Sequence, residues 1–358
     1  MLLEKLLLQN RIITAVVITC LLAVYTCVSA GQTGGLSGAY LRPGVGAAAI
    51  GMGGASSAAP QYFGAWWNPA YNAFAKGKTL SIGAGTRSLG RTDLFTEFDI
   101  KVPPRLGMGF LVLYRGDPFL DNLYNDDYDN PQKLDNASYT TITGKISLNY
   151  FINRKLGAGL NIGINHQRLP TSIDDKGKWI YSSTTGIGSI DLALSYKRSE
   201  RLTFGLVIRD MFSLMTWELE DESYSPTIND RPLPSFTLAS HFSDSLFHKP
   251  LIWNTDLKGY MFDGEWNKLE RPEAYLSTGF ELQNWKTFYI RLGLGDILLN
   301  GDIFRDTDSY FSEFFCKITG GFSLDLANLR KGMVLNYGFA TDKTWAGLDH
   351  ELDVTFRF

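Results

Sequence analysis

The last eleven residues, LDHELDVTFRF at 348–358, constrain the fold more than any other stretch. Leu348, His350, Leu352, Val354, Phe356 and Phe358 occupy one phase of a period-two pattern, and Asp349, Glu351, Asp353, Thr355 and Arg357 occupy the other. Successive side chains of a strand point to opposite faces, so this segment has an apolar face and a charged face. A half-buried strand of a soluble protein shows the same alternation. An amphipathic strand that stops on an aromatic residue is also the ending of a transmembrane barrel, with Phe356 and Phe358 as its insertion signal, and the rest of the chain must decide between the two.

The chain begins with a leader. Lys5 and Arg11 flank an apolar run over 12–28, and Val28, Ser29 and Ala30 provide a small-residue cleavage site before Gly31. A retained anchor helix is the alternative, disfavoured because the run is short and the glycine-rich sequence after it cannot extend a helix. Export after removal of residues 1–30 is therefore expected. Cys20 and Cys27 leave with the leader and only Cys316 remains, so no internal disulfide is expected. No later segment is apolar for long enough to form a membrane helix. With 34 basic and 37 acidic residues the net charge is −3, which provides no basic footprint for nucleic acid.

Residues 31–78 differ from all that follow. They are rich in Gly and Ala and lack a sustained period of two, as expected of a compact insert. No GK[ST] follows the glycines, which argues against a phosphate loop. From Thr79 onward, amphipathic runs alternate with turn signals. Strands are predicted over 79–90, 91–102, 105–114, 139–152, 155–167, 186–197, 201–211, 235–242, 251–262, 274–282, 287–296, 313–326, 332–340 and 348–358, fourteen in all.

The joints between these runs alternate in length. Those at 103–104, 153–154, 197–201, 283–286 and 327–331 are short, and those at 115–138, 168–185, 212–234 and 298–312 are long and polar. Two depart from the trend, a long 243–250 on the short side and a compact 341–347 on the long side. Short turns at one end and long loops at the other are a property of outer-membrane barrels, and a soluble sandwich has no reason to keep that parity.

The faces agree with this reading. Ile142, Ile146, Leu148 and Tyr150 oppose Thr143, Lys145, Ser147 and Asn149, while Phe314, Ile318, Phe322, Leu324 and Leu326 oppose Lys317, Thr319, Ser323 and Asp325. The fold expected is an all-β, 14-stranded antiparallel transmembrane β-barrel over 79–358. Gly83, Gly85, Gly107, Gly109, Gly157, Gly159, Gly163, Gly205, Gly279, Gly293 and Gly295 share the inward phase, whereas Gly144 and Gly320 do not. Missing side chains on the inner wall leave room for an occupant, and 31–78 is the segment left over to fill it as an N-terminal hatch, or plug, in the lumen.

LRPGVGAAAIGMGGASSAA followed by WWNPAYNAF resembles the start of PorV/PorQ-type outer-membrane proteins, relatives of the FadL transporters of hydrophobic compounds. The match covers about fifty residues, with Gly51, Met52 and Gly53 as the hatch turn and Asn68, Pro69 and Ala70 as the hatch motif. The resemblance implies a role in type IX protein secretion, with secretion-system subunits or secreted cargo proteins as partners of the extracellular loops. Its FadL side implies instead a transporter with a hydrophobic ligand, or detergent, in the barrel. Physically, Pro69 fixes φ and biases Asn68 toward extended backbone, and the Asn amide is suited to satisfying nearby backbone groups where no ladder exists.

Little suggests chemistry. His166, His241, His248 and His350 lack metal-site spacing, and no GxSxG occurs. Neither a catalytic residue, nor a metal, nor a cofactor is expected. Asp121, Asp126, Asp127, Asp129 and Asp135 read as a solvated outer loop, calcium being the alternative. Phe119, Leu120, Leu123, Tyr124 and Tyr128 in one long loop, and Met211, Phe212, Leu214, Met215 and Trp217 in another, are candidate ligand- or cargo-binding groups. Packing of these loops over the barrel mouth is an equal alternative. The inward phase carries Lys145, Asn149, Asn161, Asp191, Lys258, Arg291, Lys317, Asp325, Asp353 and Arg357, which makes an apolar tunnel hard to build and favours secretion over small-molecule transport.

Overall fold

The computed structural model describes residues 43–75, 77–120, 137–173, 179–219, 227–230, 232, 234–246, 248–260, 273–285, 287–299, 316–342 and 347–358. Strands β1 (Lys78–Thr86), β2 (Thr92–Val102), β3 (Leu106–Leu120), β4 (Ala137–Phe151), β5 (Leu156–Ile173), β6 (Trp179–Lys197) and β7 (Leu202–Arg209) form one half of the sheet. Two short strands follow, β8 (Leu214–Leu219) and β9 (Thr227–Asp230). The other half consists of β10 (Ser235–Leu246), β11 (Lys249–Tyr260), β12 (Glu273–Trp285), β13 (Phe288–Leu298), β14 (Lys317–Asp325), β15 (Met333–Thr341) and β16 (Leu348–Arg357).

Each strand pairs antiparallel with its neighbours, β7 pairs with β10, and β1 pairs with β16 to close the circle. Fourteen strands make up the closed wall, and β8 with β9 form a hairpin added to the upper part of β6. Closure pairs the backbone groups along the edges of the wall strands, save for one stretch between β6 and β7, as a sheet in contact with hydrocarbon requires, where an unpaired group costs several kcal/mol. The outer face is apolar as that contact requires: Ile82, Leu94, Val112, Ile146, Ile162, Leu194, Leu238 and Leu352 are all exposed.

The alternation of joint length is reproduced, with differences that follow from strand length. β3, β4, β5 and β6 extend past their predicted ends, so two of the expected loops are partly wall. The predicted long joint 243–250 is a tight turn, because β10 runs to Leu246 and β11 starts at Lys249, with His248 in left-handed backbone at φ 63°. Its polar sequence suggested a loop, but backbone pairing continues through polar residues when they face solvent beyond the apolar band.

Residues 43–75 lie inside the barrel. They contain two short helices, α1 (Ala47–Gly51) and α2 (Gly64–Trp67), and a 3-10 helix at Pro69–Phe74. Val45, Ala49, Phe63, Ala65, Trp66 and Trp67 pack with Phe95, Leu111 and Leu113 of the wall into one apolar cluster. The inward glycines are where inner backbone meets wall backbone. A Cβ built on Gly338 falls 2.1 Å from the Ala47 oxygen, one on Gly279 falls 2.3 Å from the Met52 oxygen, and one on Gly159 falls 2.4 Å from the Ala70 nitrogen.

Gly338→Val is therefore expected to push the inner segment off the wall. It should increase protease cleavage within 43–75 in native membranes, while Gly144→Val, where a Cβ meets nothing within 4 Å, should leave the cleavage pattern unchanged. Equal behaviour of the two variants would show that the close approach has no structural consequence.

Candidate functional site

The inner segment is tied to the wall by polar side chains that interrupt otherwise small or apolar inward positions. Asp353 Oδ2 accepts the Ala47 amide at 2.7 Å, and Asp256 Oδ2 accepts those of Ser56 and Ser57 at 3.1 and 2.9 Å. Glu97 Oε1 accepts from the Ala65 amide at 3.2 Å, and the Asn72 amide donates to Asp99 at 2.7 Å. In the opposite sense, Asn254 and Asn161 donate to the Ala55 and Ala65 carbonyls, and Arg209 donates to that of Trp67 at 3.0 Å. Short irregular helices leave many backbone groups without internal partners, so wall side chains complete them.

Arg87, in the turn after β1, anchors the long-loop half. Its guanidinium bonds Asp93 at 2.7 Å, Asp349 at 3.3 Å, Glu351 and the Gly44 carbonyl at 3.0 Å, and Arg115 binds the other side of Asp93. Burial works against the charge on Arg87, but Glu351, Asp93 and Asp349 outweigh it and raise its pKa. A second knot joins Arg291 to Glu281 at 2.6 Å and to Ser323 at 2.5 Å, with Gln61 of the inner segment bridging to Glu281 at 2.9 Å. Beside it Tyr62 faces the Arg357 guanidinium at 5.3 Å, and burial pushes its hydroxyl pKa up to about 12.

The predicted hatch residues fulfil structural roles. Asn68 is fully buried: its Nδ2 donates to the Ser57 carbonyl at 2.6 Å, and its Oδ1 accepts the Ala70 amide at 3.0 Å, capping the 3-10 helix that Pro69 opens. Gly53 has φ of 73°, and a Cβ there falls 2.4 Å from the Leu294 oxygen, which explains the Gly-Met-Gly turn.

The loop candidates fare differently. Phe119 and Leu120 belong to the end of β3, and Tyr124 and Tyr128 lie outside the described residues, as do Asp121, Asp126, Asp127, Asp129 and Asp135. Met215 is a correction, because it belongs to β8 and is completely buried on the inner face instead of presented on a loop; Trp217, two residues on, is half-buried. Phe356 lies on β16, and Arg330 sits over the rings of Phe356 and Phe358 at 5.2 and 5.4 Å.

Two spaces flank the inner segment on the β10–β16 side. The larger, about 740 Å3 with its open mouth, is bounded by Arg87, Arg209, Asp256, Lys258, Asp296 and Lys317 of the wall and by Ile50, Gly53 and Trp67 below. The smaller, about 290 Å3, is bounded by Ala48, Met52, Gln61, Tyr62 and Asn254. Both touch α1 and the turn that follows it. The wall itself is interrupted next to the larger space, at Arg209. The β6–β7 ladder stops at Leu192↔Ile208 and resumes with β8 at Ile187↔Leu214, leaving residues 188–191 of β6 and 209–213 of the facing strand unpaired with each other. Asp210 at φ 58° turns the chain there, and its amide bonds Asp191 at 3.2 Å. The sequence pattern predicts one regular strand over 201–211, and the chain departs from it at Asp210, ahead of the run Met211, Phe212.

Asn68→Ala removes two buried hydrogen bonds and should lower resistance to unfolding by about 1–3 kcal/mol. Loss of the heat-modifiable band at a lower temperature is the measurement, and an unchanged midpoint would show that the cap carries no weight.

No family model matches the sequence, and no curated protein matches it. Solved structures do. A toluene transporter, TodX of Pseudomonas putida, is 12% identical with a TM-score of 0.59, covering 88% of this chain and 99% of its own. A monoaromatic hydrocarbon channel, CymD, is 14% identical with a TM-score of 0.58, covering 88% and 98%. A FadL homologue of Pseudomonas aeruginosa is 10% identical with a TM-score of 0.55, covering 88% and 99%. At these identities the likeness is one of fold: the chain shares the barrel fold of these three proteins.

Proposed function

We propose that this protein is a channel for hydrophobic small molecules in a bacterial outer membrane, reached after cleavage of residues 1–30, and that its solutes leave sideways through the interrupted wall. The ladder break between β6 and the β7–β8 strand carries this reading. It lies at the level of the apolar outer band, with Ile187, Leu192, Phe212 and Leu214 exposed around it. A solute that exits there never crosses the short-turn half of the bore. That half is closed by packing: Ala70 presses on Gly159, and Phe74 meets Phe151 ring to ring at 5.7 Å.

The objection from inward charge loses force because the charges are answered within the chain. Lys145 pairs with Asp191 at 2.7 Å and Arg291 with Glu281 at 2.6 Å, while Asp353 and Asp256 bind inner-segment amides. The similar channels named above are described as carrying toluene and monoaromatic hydrocarbons, which suggests the size of solute. The type IX secretion reading rests on the Gly-Met-Gly and Asn-Pro-Ala motifs. Those residues serve to fold the inner segment, and that role suits either function.

The facing strand has one residue more than β6 across the break, so deleting Phe212 should let the ladder run through. Toluene uptake by cells expressing the deletion variant is expected to fall to that of cells lacking the protein, with the barrel still folded by heat-modifiability. Undiminished uptake through a continuous wall would overturn the lateral route.

A further inference from the structure

One inward row, read across paired strands, changes character at the break. Phe95 pairs with Leu113, Leu113 with Thr143, Thr143 with Asn165, Asn165 with Gly186 and Gly186 with Met215. Its flanks are apolar, since Leu113 and Met215 are completely buried, and its middle is made of neutral hydrogen-bonding groups. Thr143 Oγ1, both amide atoms of Asn165 and, one row nearer the short turns, Ser189 Oγ are buried without hydrogen-bond partners. All three residues are 0% exposed. Trp66 of the inner segment adds an indole Nε1–H in the same condition. A Cβ on Gly188, one of the residues without a register partner, falls 1.7 Å from Asn165 Nδ2, so the amide lies directly against the break.

The asymmetry is specific to this side of the barrel. Among the described residues, the neutral wall side chains with unpartnered buried polar atoms fall on β4, β5 and β6 and at Ser213, next to the break. Elsewhere on the wall Ser323, Asn336 and Asp353 bond one another, and Asn254 and Thr319 bond the inner segment. The charges nearest the row are already matched: Lys145 with Asp191, and Arg115 with Asp93, each at 2.7 Å. Glu97, one row nearer the short turns, and Arg209 and Asp210 at the break also keep a buried polar atom without a partner, but the row itself carries no charged side chain, so an ion gains no counter-charge within it and a pure hydrocarbon leaves the Thr, Asn and Ser groups unanswered.

We propose that the row Leu113–Thr143–Asn165–Met215, with Ser189 and Trp66, is a selectivity site for hydrophobic solutes that carry one uncharged hydrogen-bonding group, such as an aryl alcohol. This rests on the channel reading above and narrows its substrate class. A site built to hydrogen-bond a hydroxyl discriminates strongly against the analogue lacking it, because its own buried groups are then left unpaired.

The test is equilibrium binding of 2-phenylethanol, ethylbenzene and phenylacetate to the full protein in lipid nanodiscs. The alcohol is expected to bind at least about tenfold more tightly than either of the others. Asn165→Leu and Thr143→Val, confirmed as folded by heat-modifiability, should remove the preference and bring the alcohol to the level of the hydrocarbon. Equal or tighter binding of ethylbenzene, tightest binding of phenylacetate, no binding of any of the three, or a preference that survives both substitutions would each overturn the proposal. If the Phe212 deletion abolishes toluene uptake and no alcohol preference is found, the selectivity site alone fails; if the preference holds and the deletion changes nothing, only the lateral route fails.

Discussion

Backbone pairing around a closed circuit is the constraint on which everything else in this protein depends. Each wall strand has an apolar outer face and therefore cannot expose an unpaired edge to lipid. The β1–β16 ladder, which joins Thr79 to Arg357 and Thr86 to His350, removes the last two edges. Once the circle is closed, the inward phase is relieved of contact with hydrocarbon and can hold charged groups, glycines and a second piece of the chain.

That second piece is irregular, and its irregularity explains the charge pattern of the wall. Two single-turn helices and a 3-10 helix cannot satisfy their own termini, and the nearest available partners are wall side chains. Carboxylates accept inner-segment amides, wall amides donate to inner-segment carbonyls, and glycines allow the remaining contacts to be backbone against backbone. The wall and its filling are thus specified together: an inward Asp is stable at 353 because the Ala47 amide meets it.

Against this background the β6 to β8 region stands apart. The ladder stops for several residues, Asp210 adopts left-handed backbone, and a group of neutral polar side chains lacks the partners that the rest of the wall supplies. Elsewhere in the described barrel nearly every buried polar group is answered from within the chain. The exceptions run along β4, β5 and β6, and Asn165, Ser189 and Ser213 bring them up to the gap in the wall.

The sequence by itself determined the barrel. A period of two with one apolar phase, repeated from Thr79 to Phe358 and punctuated by alternately short and long joints, fixes strand number, facing and closure, because lipid admits no other arrangement of such strands. It also determined the role of Asn68 and the inward placement of the glycines, both of which are local consequences of backbone geometry. Tertiary structure decided what local pattern cannot encode: that Met215 faces inward, that Arg87 gathers Asp93, Asp349 and Glu351 from distant strands, and that the wall parts at Asp210. Partners separated by more than two hundred residues meet only through the register of strands between them, and a register shift of one residue leaves almost no trace in the hydrophobic pattern on either side of it.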